Sequence, residues 1–129
     1  MTDLAAFARL IPADHGLCVV STLRADGSIQ SSVVNAGVLE HPVTGQPVVG
    51  LVAQGGSRKL ANLRARPRVT IVVRDGWQWV AVEGLRLLLR VVFTAAGGTH
   101  EDFDTYDKVM AEERRAAVLI TPERVYSNP

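Results

Sequence analysis

With 129 residues and 47% hydrophobic content, the chain is the size of one domain and carries enough apolar mass for a buried core. A net charge of +1 gives no global attraction to nucleic acid, and no apolar run approaches the roughly 20 residues of a membrane span. A lone cysteine, Cys18, excludes an internal disulfide, and a start without a basic region followed by an apolar core argues against a secretory leader, so the expected location is cytoplasmic.

The first residues predict a short helix, with Thr2 as N-cap, Leu4, Phe7, Ala8 and Ile11 on one face and Pro12 as its stop. Leu17 to Leu23 reads as a strand, with Cys18 a small buried hydrophobe inside it. Arg24-Ala25-Asp26-Gly27 is a hairpin turn into a second strand, Ser28 to Leu39. After a loop at His41 to Gly45, Pro47 to Ala53 forms a third strand, and Gly55-Gly56 leads into a helix from Ser57 to Ala65, closed by Pro67. Val69 to Val73 and Trp77 to Glu83 follow as strands joined by Arg74-Asp75-Gly76. Five such strands with hairpin turns predict a closed or nearly closed barrel.

Beyond Gly84 the pattern changes. Leu85, Leu88, Leu89, Val92 and Phe93 keep helical spacing up to Gly97-Gly98, a second helix is expected from Thr99 towards Arg114 and Arg115, and Ala117 to Ile120 returns as a strand. A strand passing through Gly84 straight into a helix leaves no connecting loop. The expectation is that a loop has been lost or that residues are missing there, which an intact mass above that of the 129-residue chain would confirm.

Charge is unevenly placed. Between His41 and Arg74 there is no acid, while Arg58, Lys59, Arg64, Arg66, Arg68 and Arg74 all fall there. Ser57 can cap its helix, yet Arg58 and Lys59 then sit at the positive end of the helix dipole, at a cost of about 0.3 to 1 kcal/mol each. An anion bound by free backbone N–H groups, the Ser57 hydroxyl and the two cations would turn that cost into a gain; otherwise both cations simply point into water. Trp77 and Trp79 are two apart on one strand and so share a face. They either pack in the core or line a groove for a flat conjugated ring.

His15, His41 and His100 lack metal-ligand spacing, and no nucleophile elbow, phosphate-binding glycine loop or dinucleotide fingerprint is present. Chemistry, if any, then belongs to a bound cofactor that the protein positions.

The order of these pieces resembles a family. Thr22 to Val34 is similar to the first hairpin of the pyridoxamine-phosphate-oxidase-like FMN-binding split barrels, and Lys59-Leu60-Ala61-Asn62-Leu63-Arg64-Ala65-Arg66-Pro67-Arg68-Val69 resembles their K-x-x-N-L-x-x-x-P-x-V element. With Gly76 to Gly84 and the ending Pro122-Glu123-Arg124-Val125-Tyr126, the chain looks like the actinobacterial flavin/deazaflavin oxidoreductases. The resemblance implies a mainly β (α+β) split β-barrel with peripheral helices, over residues 1–129 as one domain. It also implies a homodimer with two cofactor sites at the subunit interface, and coenzyme F420 or FMN as ligand. By the same resemblance Lys59 and Asn62 hold the cofactor phosphate or tail with Ser57 and Arg58 beside them. Gln30, Ser32 and Val34 lie against the tricyclic ring, and Trp77 and Trp79 line the pocket over the tail or substrate. The Gly-Trp-x-aromatic element favours F420. The implied reaction is hydride transfer from the reduced deazaflavin to a conjugated small-molecule acceptor, with protonation left to solvent or the cofactor; Tyr126 and Ser32 are candidate hydrogen-bond donors to the acceptor, neither is given a catalytic role, and no general acid is assigned. An FMN-dependent oxidoreductase of the same fold and a non-catalytic flavin carrier stay open, whereas a nucleic-acid-binding barrel fits the charge balance poorly.

Overall fold

The computed structural model describes residues 3–41, 44–54, 57–87 and 115–129. Six antiparallel strands close into a barrel in the order β1-β2-β3-β6-β5-β4: β1 (Leu17–Leu23), β2 (Ile29–Glu40), β3 (Pro47–Gln54), β4 (Arg68–Asp75), β5 (Gln78–Leu87) and β6 (Arg115–Ser127). Among the described residues two short α-helices accompany them, α1 (Leu4–Leu10) and α2 (Arg58–Ala65). Alternation decides what fills the barrel. On β1 the side chains of Cys18, Val20 and Thr22 point inward and are buried, whereas Leu17 and Val19 face out. Val34 and Ala36 of β2, Val69, Ile71 and Val73 of β4, and Val80 and Val82 of β5 complete the interior. Phe7 of α1 and Leu60 and Leu63 of α2 are wholly buried with them. Cutting Leu63 to Ala would cost about 2 to 5 kcal/mol in such a core.

The helix start is one residue later than expected. Asp3, in extended geometry, caps α1 by accepting the Ala6 N–H at 3.2 Å, and Thr2 lies outside the described residues. Leu4, Phe7 and Leu10 form the buried face. The β1–β2 connection is the expected Asp-Gly turn: Gly27 has φ +86°, its N–H bonds the Arg24 carbonyl, and the Arg24 N–H bonds Ser28. The β4–β5 hairpin turns on Gly76 and Trp77 alone, since Asp75 pairs with Gln78. Gly76 supplies the positive φ that the first residue of such a turn requires.

The largest correction concerns Gly84. No helix begins at Leu85: β5 continues to Leu87, with Leu85 paired to Thr121 and Leu87 to Leu119. The apolar spacing that suggested a helix fits a strand equally over three residues, and pairing with β6 decides it. The expected loop is therefore not needed at Gly84, and that argument for missing residues falls. A bulge between Glu83 and Gly84 takes up the irregularity, opposite Pro122. A proline has no N–H to give to a ladder, so the bulge is where β6 tolerates it. Residues 88–93 and the helix expected from Thr99 lie outside the described residues, while Arg115, expected at that helix's end, begins β6. The final strand runs well beyond Ala117 to Ile120, and it closes the barrel by pairing with both β3 and β5. Among the described residues no helix is long and apolar enough to cross a membrane.

A Cβ on Gly84 would press into the Thr121 carbonyl, whereas one on Gly37 would meet nothing. Gly84→Ala is expected to lower stability by about 1 to 3 kcal/mol through overpacking at the bulge, and Gly37→Ala to leave it unchanged or slightly raised; urea unfolding of the two variants checks the pair.

Candidate functional site

The acid-free segment and the first hairpin meet in space. Arg24, Ala25 and Asp26 of the β1–β2 turn, Gln30 of β2, and Arg58, Ala61, Asn62 and Arg66 of α2 and its end line a groove of about 710 Å³. Helical spacing explains the α2 contribution: Arg58, Ala61 and Asn62 are at i, i+3 and i+4 and share a face. Asn62 is buried, and its Nδ2 donates to Thr22 Oγ1 at 3.0 Å and to Gln30 Oε1 at 3.3 Å. Both amide hydrogens are thereby spent within the protein. Arg66 is fixed by its Nε, which donates to the Leu23 carbonyl at 2.9 Å. Arg24 braces the turn through Ser28 and the Ile29 carbonyl.

The groove's one acid is already occupied. Asp26 accepts the Ser28 hydroxyl at 2.5 Å and the Ser28 N–H at 2.9 Å, and these bonds hold its carboxyl below the usual aspartate range. Three guanidinium groups thus face a groove whose carboxylate is turned to its own loop. Planar cations in this arrangement, two of them held by hydrogen bonds, suit a phosphate or carboxylate.

The expected site residues divide. Gln30, Arg58 and Asn62 line the groove. Ser57 caps α2, its Oγ accepting the Leu60 N–H at 3.3 Å. Lys59 follows Arg58 by about 100° around the helix and does not line the groove. Gln30, Ser32 and Val34 do share a face, and it is the barrel's inner one: Val34 is packed in the core. Ser32 Oγ is buried there with no hydrogen-bond partner. Arg24 and Arg66 had been read only as a turn residue and as part of a basic stretch; the register that brings the first turn beside α2 is what makes them site residues.

A second cavity, about 790 Å³, lies on the outside of β4, β5 and β6 and is lined by Val72, Arg74, Gly76, Trp77, Trp79, Ala81 and Tyr126. Core packing is excluded for Trp77, which is 94% exposed in the turn. Trp79 and Tyr126 meet edge to face, centroids 6.0 Å apart and planes at 88°. The Tyr126 hydroxyl donates to Glu83 Oε2 at 2.7 Å, and that bond pushes its pKa upward. The groove and the cavity sit at opposite ends of the barrel. Arg74 is level with Leu17 by the β1–β4 register, and Arg24 follows Leu23, so the length of β1 separates them by about 20 Å at ~3.3 Å per residue.

The sequence matches the family model of pyridoxamine 5'-phosphate oxidase over residues 4–128, and the chain belongs to that family, with the FMN-binding split-barrel fold. Its barrel is similar to a conserved hypothetical protein of Mycobacterium tuberculosis, at 22% identity and a TM-score of 0.64, covering 98% of this chain and 84% of that one. It is also similar to an FMN-binding, pyridoxamine 5'-phosphate oxidase-related protein of Nostoc punctiforme (10% identity, TM-score 0.65, 95% and 82% covered). An F420 reductase aligns at 16% identity with a TM-score of 0.59, covering 85% and 88%. The comparison with curated proteins returned no match.

Removing the Asn62 carboxamide strands two partners. Asn62→Leu is expected to cost about 1 to 3 kcal/mol, and Thr22→Val combined with it to be less than additive, with a coupling of at least about 0.5 kcal/mol in a double-mutant cycle read by urea unfolding.

The thiol offers a separate check. Cys18 is 2% exposed, and burial pushes its pKa up to about 11. The folded protein is expected to resist a disulfide reagent at pH 8 and to react at once when unfolded; rapid native labelling would contradict the inward placement of β1.

Proposed function

We propose that this chain is an F420-dependent reductase that works as a homodimer. The observation that carries the reading is the groove of Arg24, Arg58 and Arg66, with Asp26 turned away to Ser28. Three cations exceed what one phosphate monoester requires and suit a phosphodiester followed by carboxylates, which is the tail chemistry of F420. The similarity to an F420 reductase supports the same choice. Bound there, the reduced deazaflavin would supply a hydride to an electron-poor, conjugated acceptor.

The chain's own residues orient and bind. Arg58 and Arg66 hold the tail, and Gln30 is kept at the groove by Asn62. Trp77, Trp79 and Tyr126 form the apolar wall for the acceptor. The Tyr126 proton is committed to Glu83, so the proton that accompanies hydride transfer comes from solvent. Because groove and wall are about 20 Å apart along β1 in one copy, the working site combines the groove of one protomer with the aromatic wall of its partner. An apolar row on the barrel's outer face supports that contact: Val33, Val19, Val72, Ala81 and Tyr126 follow one another across five strands by register, and Val19 and Val33 are 42% and 62% exposed.

Side-by-side titration with F420 and FMN, followed by tryptophan quenching, tests the cofactor. Tighter F420 binding that weakens steeply with salt is expected; tight FMN binding without F420 binding would move the protein to flavin chemistry, and binding of neither would leave only the fold. Arg58→Ala should weaken binding by about 1.5 to 3 kcal/mol, the value of a charge-assisted bond, and more than Lys59→Ala.

The assembly is tested by light scattering. The native chain is expected at twice its monomer mass and Val19→Asp at the monomer mass with lost activity, whereas a fully active monomer would refute the shared site.

A further inference from the structure

Trp77 carries a large apolar ring into solvent, so packing of that ring does little to hold it. Its backbone is held from the end of β6. The last β5–β6 backbone pair is Val80 with Ser127. One residue on, the Asn128 carboxamide reaches across the hairpin: its Oδ1 accepts the Trp79 N–H at 3.0 Å, and its Nδ2 donates to the Trp77 carbonyl at 2.8 Å. A carboxamide offers the same donor and acceptor as a peptide group, so the side chain extends the ladder by one step past the backbone. Both bonded groups flank Gln78, directly beside the Gly76–Trp77 turn. Trp79 in turn meets Tyr126 edge to face, and Tyr126 is tied to Glu83. The cavity wall is therefore a connected series from Asn128 through Trp79 and Tyr126 to Glu83.

We infer that Asn128 is a positioning residue for the aromatic cavity, its carboxamide bracket holding the Trp77–Trp79 segment so that the two indoles receive a flat conjugated ligand. The ligand part rests on the proposed reading of that cavity as the acceptor site. The bracket needs one donor and one acceptor at fixed places. An aspartate there supplies two acceptors when ionised, and one of them faces the Trp77 carbonyl. When protonated it has a donor again. Its pKa should lie above the ordinary aspartate value of about 3.9, because repulsion by the carbonyl disfavours the charged form.

The full-length chain, Asn128→Ala and Asn128→Asp are compared by the hydrogen-exchange protection of the Trp79 amide and by binding of menadione, a flat quinone probe, read as tryptophan quenching. Asn128→Ala is expected to lose Trp79 protection and menadione affinity by about tenfold each, the value of one neutral hydrogen bond. Asn128→Asp should match Asn128→Ala at neutral pH and recover both as the pH falls through its carboxyl pKa, a rescue that Asn128→Ala cannot show. Arg58→Ala should weaken F420 binding and leave Trp79 protection unchanged, so failure of the cofactor reading is separable from failure of the bracket. Unchanged protection in Asn128→Ala, a pH-flat Asn128→Asp, or no saturable quenching of the native chain by menadione would overturn the assignment.

Discussion

The arrangement depends on one buried polar contact, the Asn62 carboxamide between Thr22 and Gln30. A polar side chain at that depth costs about 1 to 3 kcal/mol when its hydrogen-bonding groups are unmet. Apolar packing through Leu60 and Leu63 attaches α2 to the barrel, but such packing does not set the helix's rotation uniquely. The two directed bonds do. They turn Arg58 and Ala61 towards the first hairpin, leave Lys59 to one side, and bring Arg66 to the Leu23 carbonyl. The anion groove thus follows from a contact that touches no anion.

A second constraint is the closure of the sheet. Because β6 pairs with β3 on one side and β5 on the other, no edge remains among the described strands, and the barrel's inside is filled by side chains rather than by a ligand. Binding must then occur at the ends and on the outer face. That separates cation from aromatic: the arginines gather where β1 leaves the barrel, and the tryptophans where β4 turns into β5. In the proposed function two copies reunite these halves, and the exposed valines of β1 and β2 are then interface residues.

Much of this was legible in the chain. The Asp-Gly turn, the β1 strand with Cys18 buried in it and the acid-free basic stretch each have a local physical cause, and each stands where it was read. What failed was long-range. Leu85 to Leu87 carry an apolar pattern that helix and strand both accept, and only the presence of β6 alongside decides between them. Pro122 reads as a strand breaker until a bulge at Glu83 and Gly84 provides for it. The site shows the same division. Arg58 and Asn62 were identifiable from the segment that resembles the family's motif and its neighbour, but Arg24 looked like ordinary turn chemistry and nothing local singles out Asn128. Both gain their roles from residues more than thirty positions away, through register that no local pattern encodes.

The central claim is that an anionic cofactor tail lies among Arg24, Arg58 and Arg66 while its ring meets the aromatic wall of a second copy. A crystal structure of the protein with F420 tests this most directly. The account predicts the phosphodiester within hydrogen-bond reach of Arg58 and Arg66, with Trp77 and Trp79 of the other protomer beside the ring. A tail bound away from those arginines, or a ring enclosed by one protomer alone, would contradict it.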